Sequence, residues 1–214
     1  MSARTKRSAL GRRVGRFLSR TVVSSLLRTT QEARRTQFEA LGPARAQIVM
    51  LGDSITEGGI WGEWFPDAPV VNRGVGGETS GQVLARLHSA IDQPRAVFLL
   101  IGTNDLAFDI PQREIARNVE SILNAIERVA PGTPVVVQSV MPRALAFRDE
   151  IVALNQLYRG VVDAAPGQVT FLDLWPTLST PEGALRPELT EDKLHLNGKG
   201  YAEWAEVLRP LMTR

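Results

Sequence analysis

The sequence contains no cysteine and only two histidines, and both scarcities restrict its chemistry. Without cysteine the chain has no disulfide, no thiolate metal ligand and no cysteine nucleophile. His88 and His195 are too few to form a multi-histidine metal centre by themselves, so any histidine-dependent catalysis must use one of them. Long apolar runs are missing too: arginines interrupt the apolar residues near the N-terminus, so neither a membrane span nor a signal-peptide core is predicted there.

The modest net charge of +2 divides very unevenly along the chain. Residues 1–35 hold ten Lys or Arg and one acid, a balance of +9. Residues 36–214 hold fifteen Lys or Arg and twenty-two acids, a balance of −7. The body therefore lacks the basic surface of a nucleic-acid-binding protein, and no nucleic-acid partner is predicted.

The basic N-terminal segment also carries apolar residues at helical spacing, which predicts a basic amphipathic helix leading into 30–41. These apolar residues are Leu10, Val14, Phe17, Leu18, Val22, Leu26 and Leu27. One interpretation is attachment to an anionic membrane surface. The alternative is a partly disordered arm, or a helix packed on the body. We expect residues 1–35 to form this arm, residues 36–214 to form one domain, and the protein to be cytoplasmic, with peripheral membrane association as an alternative.

From residue 45 onward short apolar runs alternate with amphipathic stretches. The predicted strands are 47–51, 69–72, 96–101, 134–140 and 168–172, and the predicted helices are 78–91, 111–130, 147–165 and 197–212. The third and fourth strands are apolar nearly throughout, which is typical of strands covered on both faces. Alternating strands and helices predict a parallel sheet with right-handed crossovers, in a three-layer α/β/α domain.

A serine stands where the first predicted strand gives way to a helix. The apolar residues 47–51 run directly into Gly52-Asp53-Ser54. The carboxyl end of a parallel strand is where open α/β sheets bind ligands, and a helix that begins there directs free N–H groups at the ligand. The tripeptide is compatible with a catalytic serine, but the same residues also form ordinary turns and N-caps.

Two more polar segments follow predicted strands. Residues 72–77, Asn-Arg-Gly-Val-Gly-Gly, form a glycine-rich turn that could bring backbone N–H groups close to an anion, or simply precede the next helix. Residues 102–105 place Asn104 where its side-chain amide could donate to a developing oxyanion, or merely cap the next segment.

An acid and a histidine lie three residues apart near the C-terminus. Asp192 and His195 can face the same side of a helical turn, where the carboxylate would fix the imidazole tautomer and the other ring nitrogen would meet a serine hydroxyl. Such a pair is also common on solvated loops. His88 has no motif around it and is predicted to lie on a helix surface.

Taken together and in order, the four segments resemble the SGNH/GDSL hydrolase family over about 45–212. Gly-Asp-Ser, Asn-Arg-Gly, Gly-Thr-Asn-Asp and Asp-Lys-Leu-His match its four blocks. Within the family the chain looks most like the platelet-activating-factor acetylhydrolase α-subunit branch, through residues 61–65, 72–87, 141–143 and 195–196. The Gly-x-Ser-x-Gly elbow of α/β-hydrolases is absent, because position 56 is threonine. We therefore expect the flavodoxin-like strand order 2-1-3-4-5.

The resemblance implies roles for particular residues. Ser54 would be the nucleophile, His195 the general base and then acid, and Asp192 the group that orients it. The oxyanion hole would be formed by the N–H of Ser54, the N–H of Gly74 and the side chain of Asn104. Ester hydrolysis through an acyl-serine intermediate is then expected, with no metal or organic cofactor, and the branch implies a homodimer.

The substrate is less well defined by the sequence. Trp61, Trp64 and Phe65 would either wall an acyl pocket and favour short chains, or belong to the core or a lid. Esters with short acyl groups are the leading prediction. The alternatives are a lysophospholipase or thioesterase for longer acyl chains, a carbohydrate O-deacetylase, and an inactive acyl-binding or scaffold protein.

Overall fold

In the computed structural model, residues 28–212 are described, and their central strands are fully buried. Every residue of three strands, β2 (Ile48–Gly52), β5 (Ala96–Leu100) and β6 (Val135–Gln138), is buried, as their apolar composition predicts. The main strands are β2 (Ile48–Gly52), β3 (Val70–Gly74), β5 (Ala96–Leu100), β6 (Val135–Gln138) and β7 (Val169–Leu172).

The five strands form one parallel sheet in the order β3-β2-β5-β6-β7. Ile48 of β2 is in register with Val70 of β3 on one side and with Ala96 of β5 on the other. When only the five strands of this sheet are counted, from first to fifth along the chain, the order is 2-1-3-4-5. The predicted topology is therefore confirmed. The carboxyl ends of β2, β3 and β5 consequently meet at one edge.

Helices cover both faces of the sheet and produce two separate apolar clusters. Alternate residues of the same strand point to opposite clusters: Val49 packs with Val97 on one side, and Met50 packs with Phe98 on the other. The helices are α1 (28–41), α2 (Ser54–Glu57), α3 (Trp61–Trp64), α4 (Ser80–Ala85), α5 (Leu87–Ala90), α6 (Thr103–Ala107), α7 (Gln112–Val129), α8 (Arg148–Ala164), α9 (Trp175–Leu178) and α10 (Gly198–Leu208). The predicted three-layer α/β/α architecture is therefore confirmed.

The helix predicted over 78–91 is broken at Arg86. Arg86 leaves helical geometry at φ −102° and ψ 11°, and its buried side chain turns inward to an acidic partner. The last residue of the predicted helix, Ile91, begins a short strand, β4 (Ile91–Gln93), which pairs in parallel with β1 (Ala44–Arg45). This two-stranded sheet was not predicted.

Helix α1 runs without interruption across the junction between residues 35 and 36. It packs on the domain through buried Phe38, whose ring lies 4.9 Å from the guanidinium of Arg34 and 4.8 Å from that of Arg73. The basic amphipathic pattern over residues 1–27 lies outside the described residues. Within residues 28–212, every helix is too short or too polar to cross a bilayer.

Candidate active site

Ser54 is the first residue of the helix that follows β2. Its neighbour Asp53 is the N-cap of α2, and the Asp53 carboxylate accepts the N–H of Ile55 at 3.0 Å. Glycine is needed at position 52, because a Cβ there would lie 2.2 Å from the backbone oxygen of Leu100. This close packing of strand and helix start fixes where the serine hydroxyl emerges.

The structure brings Ser54, His195 and Asp192 together. Ser54 Oγ lies 2.9 Å from Nε2 of His195, and Nδ1 of the same ring lies 2.7 Å from Oδ2 of Asp192. The three groups thus form a continuous hydrogen-bonded chain although 141 residues separate Ser54 and His195. Within residues 28–212, no group of three or more His, Asp or Glu is arranged to hold a metal ion.

Asp192 and His195 lie in a bend that precedes α10, not in the helical turn that the sequence predicts. Lys193 adopts a left-handed conformation at φ +66°, and this lets Oδ1 of Asp192 accept the backbone N–H of both Leu194 (2.9 Å) and His195 (2.7 Å). The carboxylate is therefore held by its own loop and needs no distant residue to orient it.

The same hydrogen bonds control the charge of Asp192. Desolvation acts to raise its pKa, but hydrogen bonds from the ring and backbone of His195 and from the N–H of Leu194 outweigh this and lower the pKa to about 2. The group is consequently a carboxylate at neutral pH. It can hold the imidazole with its Nδ1 protonated and its Nε2 free to accept the proton of Ser54.

One of the two amide hydrogens of Asn104 holds its side chain on the segment that follows β3. Its Nδ2 donates to the backbone oxygen of Glu78 at 2.9 Å. The second hydrogen of that nitrogen has no acceptor within residues 28–212 and is available to a ligand. The side chain therefore has the geometry of an oriented donor.

The amide of Gly74 does not fit the predicted oxyanion role. It is donated to Oδ1 of Asn72 at 2.8 Å, and Gly74 itself is buried, with no space for a Cβ against Glu57. A side chain that accepts the N–H two residues further on is a turn typical of asparagine. The sequence Asn72-Arg73-Gly74 carried this signal, and the prediction overlooked it.

The same turn offers the amide of Gly77 instead. A Cβ at Gly76 would lie 3.7 Å from Cβ of Ser54, so the turn lies against the serine. The N–H of Gly76 is donated to Oε2 of Glu57 at 2.6 Å, whereas that of Gly77 has no acceptor among the described residues. Gly77 has φ +74°, which L-residues rarely adopt.

A buried ion-pair network supports this turn. The carboxylate of Glu78 accepts from Nε of Arg86 at 2.6 Å and from Nε of Arg35 at 2.7 Å. Helix α1 also contacts the turn directly, because Nε2 of Gln31 donates to the backbone oxygen of Gly76 at 2.9 Å. Sequence reasoning missed these contacts, since the two made by α1 join residues more than forty positions apart and the pairing of Glu78 with Arg86 depends on the break in the helix at Arg86.

Trp61 and Phe65 lie in the core and do not wall a pocket. They are 2% and 4% exposed, and the indole N–H of Trp61 donates to the backbone oxygen of Thr56 at 2.9 Å. The ring of Trp61 meets that of Trp204 edge-on at 4.7 Å. Trp64 is half-buried and packs against the same cluster. Their spacing therefore reflects a short core helix, which is the alternative that the sequence left open.

The second histidine plays no part in this arrangement. His88 is exposed on the short helix α5. Of the two histidines in the chain, it is therefore His195 that reaches Ser54.

Comparison with known proteins agrees with this architecture. Platelet-activating factor acetylhydrolase IB subunit alpha1 of Rattus norvegicus is 27% identical over 178 residues, covering 78% of this chain and 75% of that protein. A solved structure from Streptococcus pneumonia, described in connection with platelet activating factor, is 29% identical, with a TM-score of 0.82 over 91% of this chain and 98% of that one. A family 3 carbohydrate esterase from Talaromyces cellulolyticus shares the fold, with a TM-score of 0.64 at 22% identity over 78% of this chain and 96% of that one.

The parallel sheet, the polar groups at its carboxyl edge and these similarities define the class: a hydrolase that acts on esters. Residues 50–203 match the family described as GDSL-like Lipase/Acylhydrolase. The chain belongs to this family, and the resemblance predicted from the four sequence blocks is confirmed.

Proposed function

We propose that the protein is a serine esterase that hydrolyses carboxylic esters with short acyl groups through an acyl-serine intermediate. The observation that carries this proposal is the 2.9 Å contact between Ser54 Oγ and Nε2 of His195, continued at 2.7 Å to Asp192. A nucleophile, a base and a group that orients the base are what acyl transfer requires.

In the proposed mechanism Ser54 Oγ attacks the ester carbonyl while Nε2 of His195 accepts its proton. Asp192 stabilises the imidazolium that forms. When the tetrahedral intermediate collapses, the bond from carbon to the alcohol oxygen breaks, and the imidazolium returns the proton to the departing alcohol. A water molecule then gives a proton to the same nitrogen and attacks the acyl-serine, which releases the acid and restores the hydroxyl of Ser54.

Three donors are proposed for the negative charge on the carbonyl oxygen. The N–H of Ser54 lies at the start of α2 and has no acceptor within its helix. The free hydrogen of Asn104 Nδ2 and the unpartnered N–H of Gly77 complete the set, with Gly77 in place of Gly74. Each donor is expected to be worth about 10²–10³ in turnover.

The preference for short acyl groups is supported by the similarity to an acetylhydrolase subunit. A second candidate is the hydrolysis of longer acyl chains. It is favoured by two exposed apolar side chains that follow α6 and β6, at the edge of the sheet where the candidate catalytic residues lie. Phe108, after α6, is 61% exposed, and Leu145, after β6, is 54% exposed. Carbohydrate deacetylation is supported only by likeness of fold.

A cytoplasmic location, a homodimer and membrane contact by the basic arm stay predictions.

A series of p-nitrophenyl esters from acetate to dodecanoate tests the proposal. We expect kcat/KM to be highest for the shortest chains and to vanish in Ser54→Ala, with the fold unchanged by circular dichroism. A maximum at eight or more carbons would replace the first candidate by the second. A fluorophosphonate probe provides an independent measurement. If the folded wild-type protein fails to react with it, the acyl-binding or scaffold alternative holds and the esterase proposal is wrong.

A further inference from the structure

Arg143 lies at the same edge of the sheet as the candidate catalytic groups, in the loop after β6. Its Nη1 donates to the backbone oxygen of Thr103 at 3.3 Å and to the Thr103 hydroxyl at 3.2 Å. Thr103 directly precedes Asn104, the side chain proposed as an oxyanion donor. The guanidinium is therefore fixed on the residue next to this proposed donor.

The guanidinium is oriented but lacks an acidic partner. Its central carbon lies 3.9 Å from the ring centroid of Phe147, a stacked arrangement that holds the planar group in place. Among the described residues no carboxylate forms an ion pair with it, whereas Arg86 pairs with Glu78. Its Nε is buried without a hydrogen-bond acceptor. A half-buried cation held in this way is suited to receive an anion through its Nη2, which is neither buried nor hydrogen-bonded within residues 28–212.

The charges around Arg143 are consistent with its position near the candidate catalytic groups. Desolvation lowers the pKa of Arg143, and the carboxylates of Asp192 and Asp53 oppose that effect. The guanidinium thus lies close enough to the Asp192 carboxylate to interact with it electrostatically, but it does not form an ion pair with it. It stays charged, because an arginine does not lose its proton in proteins.

We propose that Arg143 determines specificity by binding an anionic group of the substrate, a phosphate or a carboxylate near the scissile ester. The two parallel N–H donors of a guanidinium match two oxygens of such a group, which Lys would match less well. The inference rests on the proposed esterase function and names the class of ester that this site prefers.

Two matched pairs of esters test this inference and separate the two anions. Mono-p-nitrophenyl glutarate against p-nitrophenyl butyrate places a carboxylate on the acyl side. Monoacetylglycerol phosphate against monoacetylglycerol places a phosphate on the alcohol side. For at least one pair, Arg143→Gln should lower kcat/KM for the anionic ester about 10- to 100-fold, the range expected for a lost charge-assisted hydrogen bond, and change the neutral ester less than about threefold. Arg143→Lys should recover part of the loss.

Arg159→Gln is the matched control. Arg159 also stacks on an aromatic ring, 4.2 Å from the centroid of Phe171, but it already pairs with Asp173 at 2.6 Å. The control should leave the ratio of anionic to neutral kcat/KM unchanged. If Arg143→Gln lowers both members of each pair equally, or lowers neither, the inference is wrong while the esterase proposal stands.

Binding of inorganic phosphate separates failure of this inference from failure of the proposed function. Titration calorimetry should detect phosphate binding to the wild-type protein and to Ser54→Ala, and a loss of at least about tenfold in affinity for Arg143→Gln. A wild-type protein that hydrolyses no ester contradicts the proposed function, yet this titration still reports on Arg143. Phosphate binding that is absent, or equal in all variants, would overturn the phosphate form of the inference.

Discussion

The two sides of the candidate site are built in opposite ways. The triad loop (Asp192–His195) is half-exposed, with side-chain exposures of 51% and 45% for its two functional groups, and it is held by hydrogen bonds within itself. The proposed oxyanion side, which consists of the turn 74–78 and Asn104, rests on Glu78 and Arg86, whose side chains are 0% and 6% exposed.

Because the two sides are held differently, substitutions on them should affect activity and stability to different degrees. The triad loop is held by hydrogen bonds to the Asp192 side chain, so it can lose the His195 side chain with little effect on the remaining structure. A turn held by a buried charge network transmits any damage to the fold, because removal of one partner leaves the other charge buried without compensation. Substitution of His195 should therefore affect activity alone, and substitutions under the turn should affect both activity and stability.

His195→Ala should give the largest change and the clearest separation. We expect kcat to fall by about 10⁴–10⁶, because the base is lost, while the free energy of unfolding changes by less than about 1 kcal/mol. Ester hydrolysis and urea denaturation measure the two quantities. A large drop in stability would show that the triad loop supports the fold, contrary to the comparison.

Asn104→Ala comes next, on the other side of the site. The loss of one oxyanion donor should lower kcat by about 10²–10³ with KM nearly unchanged. Asn118→Ala is a suitable control, because Asn118 also donates a side-chain amide hydrogen, to Ser80 Oγ at 3.0 Å, on the neighbouring helix α7. Near-normal turnover in Asn104→Ala would assign the residue a purely structural role.

Glu78→Gln should lower both the free energy of unfolding and kcat. Removing the charge leaves Arg86 buried without its ion pair, and we expect about 3–5 kcal/mol less stability and a lower kcat as the turn loses its support. The exposed pair of Glu206 and Arg209 offers a contrast, because Glu206→Gln should leave the stability nearly unchanged. Equal stabilities of the two variants in urea denaturation would refute the comparison.

The smallest effect is expected where α1 contacts the turn. Gln31→Ala removes the hydrogen bond to the oxygen of Gly76, which should lower kcat about two- to fivefold, since such a bond contributes about 1 kcal/mol. Gln37→Ala, on the same helix, removes only an exposed bond to Ala33 and should leave kcat unchanged. Identical kinetics for the two variants would mean that the Gln31 contact does not position the turn.

The sequence predicted the parts of the molecule that depend on local pattern. The unbroken apolar run Ala96–Leu100 predicted a central strand, and the polar residues after such strands predicted which groups meet at the sheet edge. Side-chain direction was harder to predict. The sequence left open whether Trp61 lines a pocket or lies in the core, because nothing local shows that its indole packs on Trp204 more than 140 positions away. Arg86 appeared to continue a helix, because its buried partners follow from tertiary packing alone.

The proposed oxyanion donors were also only partly predictable from local sequence. The resemblance implied Gly74, yet the assignment depends on which N–H of one turn is already taken. The Asn72 side chain takes that of Gly74, and Glu57 takes that of Gly76. The first bond follows from a local asparagine pattern, whereas the second needs the helix start and the turn to be folded together.

The buried carboxyl of Asp53 makes folding sensitive to acidity. Burial raises its pKa from 3.8 to about 7, while the hydrogen bond from Ile55 and the proximity of His195 act in the opposite direction. Between about pH 4 and 7 the folded protein therefore retains a proton that the unfolded chain gives up, so stability falls as pH rises through this window. Unfolding in that range should release a proton, and its calorimetric enthalpy should change with the ionisation heat of the buffer. Asp53→Asn, which preserves the cap acceptor, should remove this proton release.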